Sequence, residues 1–305
     1  MTKIFVVILN WNRADDTTEC VKSVEKMRTY GFTFKTVVID NASTDTSPEK
    51  LKKLTDKYSD LVVINNETNL GFAAGNNVGI EFALKNEANF VLILNNDTLV
   101  DRDLLVNLYK TAKLNKKAGA ISPKIYFAPG FEFHKDRYVK RLYGKVIWYA
   151  GGILDWKNIY GSNRGVDEID RGQFDSLELT DFATGACMFI RTKALKKMGL
   201  FDEKYFMYLE DLDLCQRMKL AGFDILYSPK GQVWHKVSQS SAIGGSLNDY
   251  FITRNRLLFG MRYASLRAKI ALFRESVRFV FSGRIWQKKG VVDFYLHKFS
   301  KGSWK

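Results

Sequence analysis

The feature that most limits how this chain can fold is a repeat of short apolar runs, each ending on amides or acids, across its first third. "KIFVVILN", "KTVVIDN", "LVVINN" and "FVLILNND" are continuous apolar stretches of strand length bounded by polar residues, the pattern of buried strands. Between them lie segments of helical period. Val21, Val24 and Met27 make an apolar stripe behind Asp16 and Glu19, which are spaced as a capping box. Ser47-Pro48-Glu49 reads as a helix start. "GFAAGNNVGIEFALKN" is glycine-rich and then helical, and Asp101 to Leu114 reads as the next helix. "AGAISPKI" reads as a fifth strand. Strands alternating with helices of this length predict an α/β fold with a mainly parallel, Rossmann-like sheet and helices on both faces. Such sheets bind ligands beyond the carboxyl ends of their strands. Here those ends are Asn10-Trp11-Asn12, Asp40-Asn41, Asn65-Asn66 and Asn95-Asn96-Asp97. One such end is explained by the turn preference of Asn and Asp; a series of them marks a site.

The pattern then changes. Tyr126 to Thr180 is rich in glycine and aromatics, which predicts loops and short antiparallel strands, an insertion able to shape a second substrate site. Order resumes at the strand-like "DFATGACMFIRT". The helix "YLEDLDLCQRMKLAG" follows, closed by Gly222, and then the strand "FDILYSP". From Ser246 the chain reads as helices. The expected organisation is a half spanning 1–125, a second half of the same domain spanning 126–245, and a helical extension spanning 246–305.

Charge is concentrated in that extension. The chain has 305 residues and a formal net charge of +14. Beyond Met261 stand eleven Lys or Arg against only Glu275 and Asp293, so the tail holds nine of those charges. Leu266, Ile270, Phe273, Val277 and Phe281 share a helical face flanked by Arg267, Arg274 and Arg278. An apolar face edged by arginine suits an anionic membrane interface; the alternative is a helix packed on the domain with its arginines solvated. No segment approaches the ~20 apolar residues of a membrane span, and "MTKIFVVILNWNR" lacks the features of a signal peptide. Cys20, Cys187 and Cys215 are scattered, as expected in a reducing compartment. No nucleic-acid recognition motif accompanies the charge, so no nucleic-acid partner is expected.

Four elements carry candidate chemistry. Asp97, just past a strand in the expected crevice, suits a hard cation or caps the following helix. Glu210, Asp211 and Asp213 crowd a helix start, where acids also favour the helix dipole; a carboxylate there is a candidate general base. Leu209, Leu212 and Cys215 form the apolar stripe of that helix, so Asp211 and Asp213 cannot both face one substrate. His235 follows a strand and is either a metal ligand or structural. Gly71, Gly75 and Gly79 match neither a dinucleotide fingerprint nor a P-loop; they allow close backbone approach to a ligand or helix packing on the sheet.

Taken in order, "VVILNWNRADDTTECVKSV", "VVIDNASTDTS", "NLGFAAGNNVG", "LILNNDT", "FATGACMFIR", "LFDEKYFMYLEDLDLCQRMKLAGF" and "VWHKVSQSS" resemble family 2 glycosyltransferases of the GT-A fold, in particular the rhamnosyltransferase-like branch. The resemblance runs from about Ile4 to about Leu258. It implies transfer of a sugar from a nucleotide-diphosphate donor, dTDP-rhamnose or a UDP-sugar, to a glycan hydroxyl, with inversion. Asp40, beside Trp11, matches the residue that recognises the nucleobase. Asn69, Gly71, Phe72 and Asn77 match the loop and helix start that meet the nucleotide, with Asn10 and Asn41 at the same edge. Asp97 matches the last acid of the metal-binding D-x-D element, for Mg²⁺ or Mn²⁺, and His235 a histidine that completes the metal site in some relatives. Asp211 matches the general base, Glu210 is expected to position the acceptor, and Gly185, Ala186 and Asp213 are expected on the acceptor side. Asn95 departs from the D-x-D pattern, which leaves Asn95 or Asn96 to the metal or to the donor ribose. The expected acceptor is a surface or lipid-linked glycan, and the expected location the inner face of the cell membrane, held peripherally. A sugar nucleotidyltransferase would need a glycine-rich loop where this chain has "NWNRADD". A catalytically dead glycan binder would not need the acids Asp97 and Asp211.

Overall fold

The computed structural model describes residues 1–237 and 245–304. The strands are β1 (Thr2–Asn10), β2 (Phe32–Asp40), β3 (Leu61–Asn65), β4 (Phe90–Asn95), β5 (Thr98–Val100), β6 (Ala118–Phe127), β7 (Ile147–Tyr149), β8 (Gly152–Asp155), β9 (Tyr160–Asn163), β10 (Glu178–Leu179), β11 (Cys187–Arg191) and β12 (Asp224–His235). The helices are α1 (Ala14–Val24), α2 (Ser47–Lys57), α3 (Gly71–Lys85), α4 (Leu104–Leu114), α5 (Thr192–Met198), α6 (Glu210–Leu220), α7 (Ser246–Tyr263), α8 (Leu266–Ser282) and α9 (Ile285–Tyr295).

One sheet runs β10-β12-β6-β11-β4-β1-β2-β3, with β5 added to β12 and β7 to β6. β1, β2, β3 and β4 are mutually parallel, as are β6 and β12, whereas β11 runs antiparallel between β4 and β6. The chain leaves β1 on one side for β2 and β3 and returns on the other for β4, so the switch point where a ligand is expected lies at β1/β4. Register aligns the polar ends: Asn10 pairs with Asp40, Asp40 with Asn65, and Leu9 with Asn95.

Helices cover both faces, as the two-residue period of a strand requires. On one face of β1, α3 packs so tightly that a Cβ on Gly75 would come 2.7 Å from Leu9, and one on Gly79 would strike Val7. On the other, Thr17 of α1 bonds to Asn10. The spacing of these two glycines therefore serves packing. Gly71 differs: its φ is +77° and a Cβ would collide with the Phe206 ring, so it forms the turn that opens α3.

Two local expectations are corrected. α1 begins at Ala14, ahead of Asp16, without a side-chain cap; Asp16 and Glu19 instead hold Lys236 at 2.9 and 2.6 Å. Thr98–Val100 forms β5, so α4 starts at Leu104 rather than Asp101. The expected boundary at 125 falls inside β6, which joins both halves in one sheet. The middle segment does form short antiparallel pairs. Among the described residues no helix is long and apolar enough to cross a membrane, and the three cysteines are buried and unpaired.

Candidate active site

The polar strand ends form a connected hydrogen-bond network. Asn10 donates from Nδ2 to Asp40 Oδ1 at 2.7 Å, and its Oδ1 accepts from Thr17 at 2.7 Å. Asn96 Nδ2 in turn donates to the Thr17 hydroxyl at 3.0 Å. Ser43 bonds to Asp40 through its hydroxyl (2.6 Å) and its amide (3.2 Å), and receives the Asn12 amide at 2.9 Å. Asn41 gathers the neighbouring loops: it donates to Asn69 (2.9 Å) and the Gly71 carbonyl (3.2 Å), and accepts from Asn66 and the Leu70 amide. Asp40, expected at the nucleobase, is 2 % exposed and hydrogen-bonded to Asn10 and Ser43. Trp11 is 52 % exposed at this edge. Asn77, expected at the nucleotide, is buried and exchanges hydrogen bonds with the Phe201 backbone at 3.0 and 3.1 Å, tying α3 to the segment before α6.

Asp97 lies just beyond β4, and β12 runs antiparallel to β5 so that His235 pairs with Thr98. This brings His235 Nε2 to 3.0 Å from Asp97 Oδ1, although 137 residues separate them in the sequence. The approach is short but not aligned as a hydrogen bond: Asp97 Oδ1 and His235 Nδ1 are buried without hydrogen-bond partners among the described residues. Burial alone would raise the Asp97 carboxyl, but the nearby His235 ring, its own backbone and Arg13 together hold it below the usual carboxylate range. Trp148 meets the His235 ring edge-on, with centroids 4.6 Å apart. A divalent cation fits this pair. Two ligands about 2.1 Å from one ion and at right angles lie about 3 Å apart, matching the observed separation. Among the described residues no third His, Cys, Asp or Glu joins them, so the remaining ligands would be a bound diphosphate and water. Asn95 and Asn96 are half-buried at the same edge. The serines of "VWHKVSQSS" lie outside the described residues.

A second cleft, of about 210 Å³, opens at the start of α6 and is lined by Trp148, Tyr160, Tyr208, Glu210, Asp211 and Arg256, among others. Asp211 Oδ2 accepts the Gly185 amide at 3.0 Å and its Oδ1 accepts the Leu212 amide at 2.9 Å. The neighbouring carbonyl, that of Ala186, accepts the Asn95 amide at 3.0 Å. A short backbone path therefore links the carboxylate of α6 to the end of β4. Burial raises the Asp211 pKa above the ordinary aspartate value, against the amide hydrogen bonds and the helix start, which favour its charged form. Glu210, 6 % exposed, is pushed well above the glutamate range by burial and then by the Asp211 charge, and its Oε2 has no hydrogen-bond partner among the described residues. Of this coupled pair, Asp211 alone receives amide hydrogen bonds from other residues, which favour the charged form. Within the pair the hydrogen bonds therefore favour the charge on Asp211 over Glu210.

Asp213 is not at the cleft. It is fully buried and held by Arg217 (2.7 Å), Tyr263 (2.8 Å), Arg262 (3.1 Å) and Tyr205 (3.2 Å), which anchors α7 to α6. The reason is helical geometry: two residues after Asp211, its side chain points roughly opposite.

The residues missed from sequence are Arg254 and Asn255. Phe206, Tyr208 and Leu209 have φ of +62°, +68° and +68°, a left-handed stretch that costs non-glycine residues free energy. Asn255 Nδ2 lies 2.8–2.9 Å from the carbonyls of Tyr205, Met207 and Tyr208, and Arg254 donates to Lys204 and Tyr205. Fully buried on α7, the two clamp the turn that aims Glu210 and Asp211. The available signal was a charge within an apolar helical stripe: Tyr250, Arg254, Leu257 and Leu258 recur at helical spacing.

Comparison with known proteins agrees with this geometry. The profile of Glycosyl transferase family 2 matches residues 5–199. The chain is 25 % identical over 217 residues to N-acetylglucosaminyl-diphospho-decaprenol L-rhamnosyltransferase of Mycobacterium tuberculosis, covering 67 % of each. It is 24 % identical over 239 residues to rhamnosyltransferase WbbL of Escherichia coli, covering 76 % of this chain and 83 % of the relative. In fold it is similar to S. aureus TarS 1-349 in complex with UDP-GlcNAc, with a TM-score of 0.60 and 18 % identity over 96 % of this chain and 79 % of that one. It is likewise similar to GalNAc-T7 with UDP, GalNAc and Mn²⁺, with a TM-score of 0.60 and 16 % identity over 97 % of this chain and 58 % of that one. With a GT-A sheet, acids at its switch point and a family profile spanning well over half its length, the chain belongs to glycosyl transferase family 2.

Proposed function

We propose that the protein transfers a sugar, with inversion, from a nucleotide-diphosphate donor to a hydroxyl of a lipid-linked glycan, in the synthesis of a surface polysaccharide or glycolipid. The observation that carries this reading is the meeting of Asp97 and His235 at the β4 edge, one backbone step from the cleft that holds Asp211. Trp11, exposed beside the braced Asn10–Asp40 loops, stacks on the base. Asp97 and His235 would hold a divalent cation, and the imidazole nitrogen would favour Mn²⁺ over Mg²⁺. When bound, the cation neutralises charge on the diphosphate leaving group. Asp211 takes the proton of the acceptor hydroxyl as its oxygen bonds to the anomeric carbon and the bond to the diphosphate breaks. Glu210, protonated, donates a hydrogen bond that orients the acceptor. Similarity to two rhamnosyltransferases supports dTDP-rhamnose as donor, with a UDP-sugar as the alternative. The exposed apolar face of α8 supports peripheral attachment to the inner face of the membrane.

A thermal-shift screen of nucleotide sugars with and without Mn²⁺ tests this reading. The expected result is stabilisation by one nucleotide sugar that depends on the metal. No stabilisation by any nucleotide-diphosphate sugar in Mn²⁺ would overturn it.

A further inference from the structure

α8 is organised in three lengthwise strips. Ala268, Leu272 and Ser276 are buried against the protein. Leu266, Ile270, Phe273, Val277 and Phe281 are 41–78 % exposed and form one apolar face. Arg267, Arg274 and Arg278 run along one edge of that face, roughly a quarter-turn round the helix. A large exposed apolar strip is unfavourable in water and marks a contact surface. An arginine row at its edge sets the counterpart's chemistry, an anionic surface at headgroup level.

Behind the arginine row lies a cavity of about 410 Å³, whose lining includes Lys157, Asn158, Arg256, Arg274, Glu275 and Arg278. Its one carboxylate, Glu275, is already paired with Arg256 at 3.2 Å. Lys157, Arg274 and Arg278 have no ion-pair partner among the described residues, so the cavity presents uncompensated positive charge. Arg256 is also shared with the Asp211 cleft. Its guanidinium is fixed by the carbonyls of Asn158 at 2.7 Å and Ile159 at 3.3 Å. One braced side chain thus separates the basic cavity from the carboxylate that activates the acceptor.

We propose that this cavity binds the diphosphate of the lipid-linked acceptor. The lipid chain leaves along the apolar strip of α8, and the sugar end enters the Asp211 cleft past Arg256. The proposal rests on the acceptor reading above and adds the place where the acceptor's anion is held. A diphosphate matches the site better than a single-charge headgroup, because it offers several acceptor oxygens to the clustered cations.

The test compares two sets of phosphatidylcholine vesicles in EDTA without donor, one carrying a polyisoprenyl diphosphate and one carrying phosphatidylglycerol at equal surface charge. The wild-type protein is expected to bind the diphosphate vesicles about tenfold more tightly. Arg274→Gln with Arg278→Gln, both exposed, is expected to fold normally and to lose that preference. Equal binding of both vesicles by the wild type would overturn the proposal in favour of a general anionic headgroup. A preference retained by the double variant would place the diphosphate elsewhere and overturn it equally. Transfer to a lipid-linked acceptor in detergent separates the two readings. Wild-type transfer without a vesicle preference sinks the cavity and spares the acceptor. A preference without transfer supports the cavity and sinks the acceptor.

Discussion

The two edges that meet at the switch point are built on opposite terms. On the β1–β3 side, Asn10, Asp40 and Thr17 are hydrogen-bonded to one another and Asn41 to Asn69, while Asn12 and Ala42 stand at positive φ. On the α6 side, a buried Glu210 oxygen has no partner among the described residues and three non-glycine residues stand at positive φ. A site that binds a donor gains from loops already ordered before binding. A site that moves a proton needs a carboxylate whose charge is only partly satisfied. Left-handed residues stand on both sides, and on the α6 side it is α7 that supplies the side chain holding them.

Breaking the reactive side is expected to have the largest effect. Asp211→Asn removes the base while keeping its shape; turnover should fall by about 10²–10⁴-fold with donor binding unchanged by thermal shift, and wild-type turnover would remove Asp211 from the role. Asn255→Ala removes the clamp rather than the base. It should lower kcat by up to about 10²-fold through misplacement while leaving the KM for donor nearly unchanged; a change in donor KM alone would make its role merely structural. On the binding side, Asp97→Ala should weaken Mn²⁺-dependent nucleotide binding by at least about tenfold, and equal affinity with and without Mn²⁺ would exclude the metal role.

The smallest effect sharpens the contrast through pH. Glu210 has a folded pKa raised above the ordinary value of 4.5, so the native state binds the extra proton. Its contribution to stability is present below about pH 4.5 and is lost as pH rises through the raised value. Glu210→Gln removes that loss. The variant's melting temperature should exceed that of the wild type at neutral pH, with the difference shrinking toward pH 4; a constant difference would show that the proton on Glu210 is not the cause. Since the Asp211 pKa is also raised, the acid limb of the pH–rate profile should lie above the ordinary aspartate value of 3.8.

The alternation of "KIFVVILN" and its successors was enough to identify the parallel half of the sheet, its helices and the edge where polar residues gather. Helix ends were less legible: Asp16 and Glu19 have the spacing of a cap, but their carboxylates serve Lys236 from the far end of the chain. Asp213 shows the same limit. Beside Asp211 in sequence it resembles part of one acidic site, yet in space it belongs to a buried cluster with Arg217, Arg262, Tyr205 and Tyr263.

What the sequence determined by itself is the part governed by local period and order: strand, helix, family motifs, and the carboxylates at Asp97 and Asp211. Only the tertiary structure decided which of those carboxylates meet partners. β12 brings His235 to Asp97, α7 brings Arg254 and Asn255 beneath the left-handed turn, and packing buries Asp40 while Trp11 stays half exposed. The physical reason is that a side chain's hydrogen bonds, burial and protonation depend on neighbours within a few ångströms. Here those neighbours come from segments dozens to over two hundred residues away, a distance that no local spacing encodes.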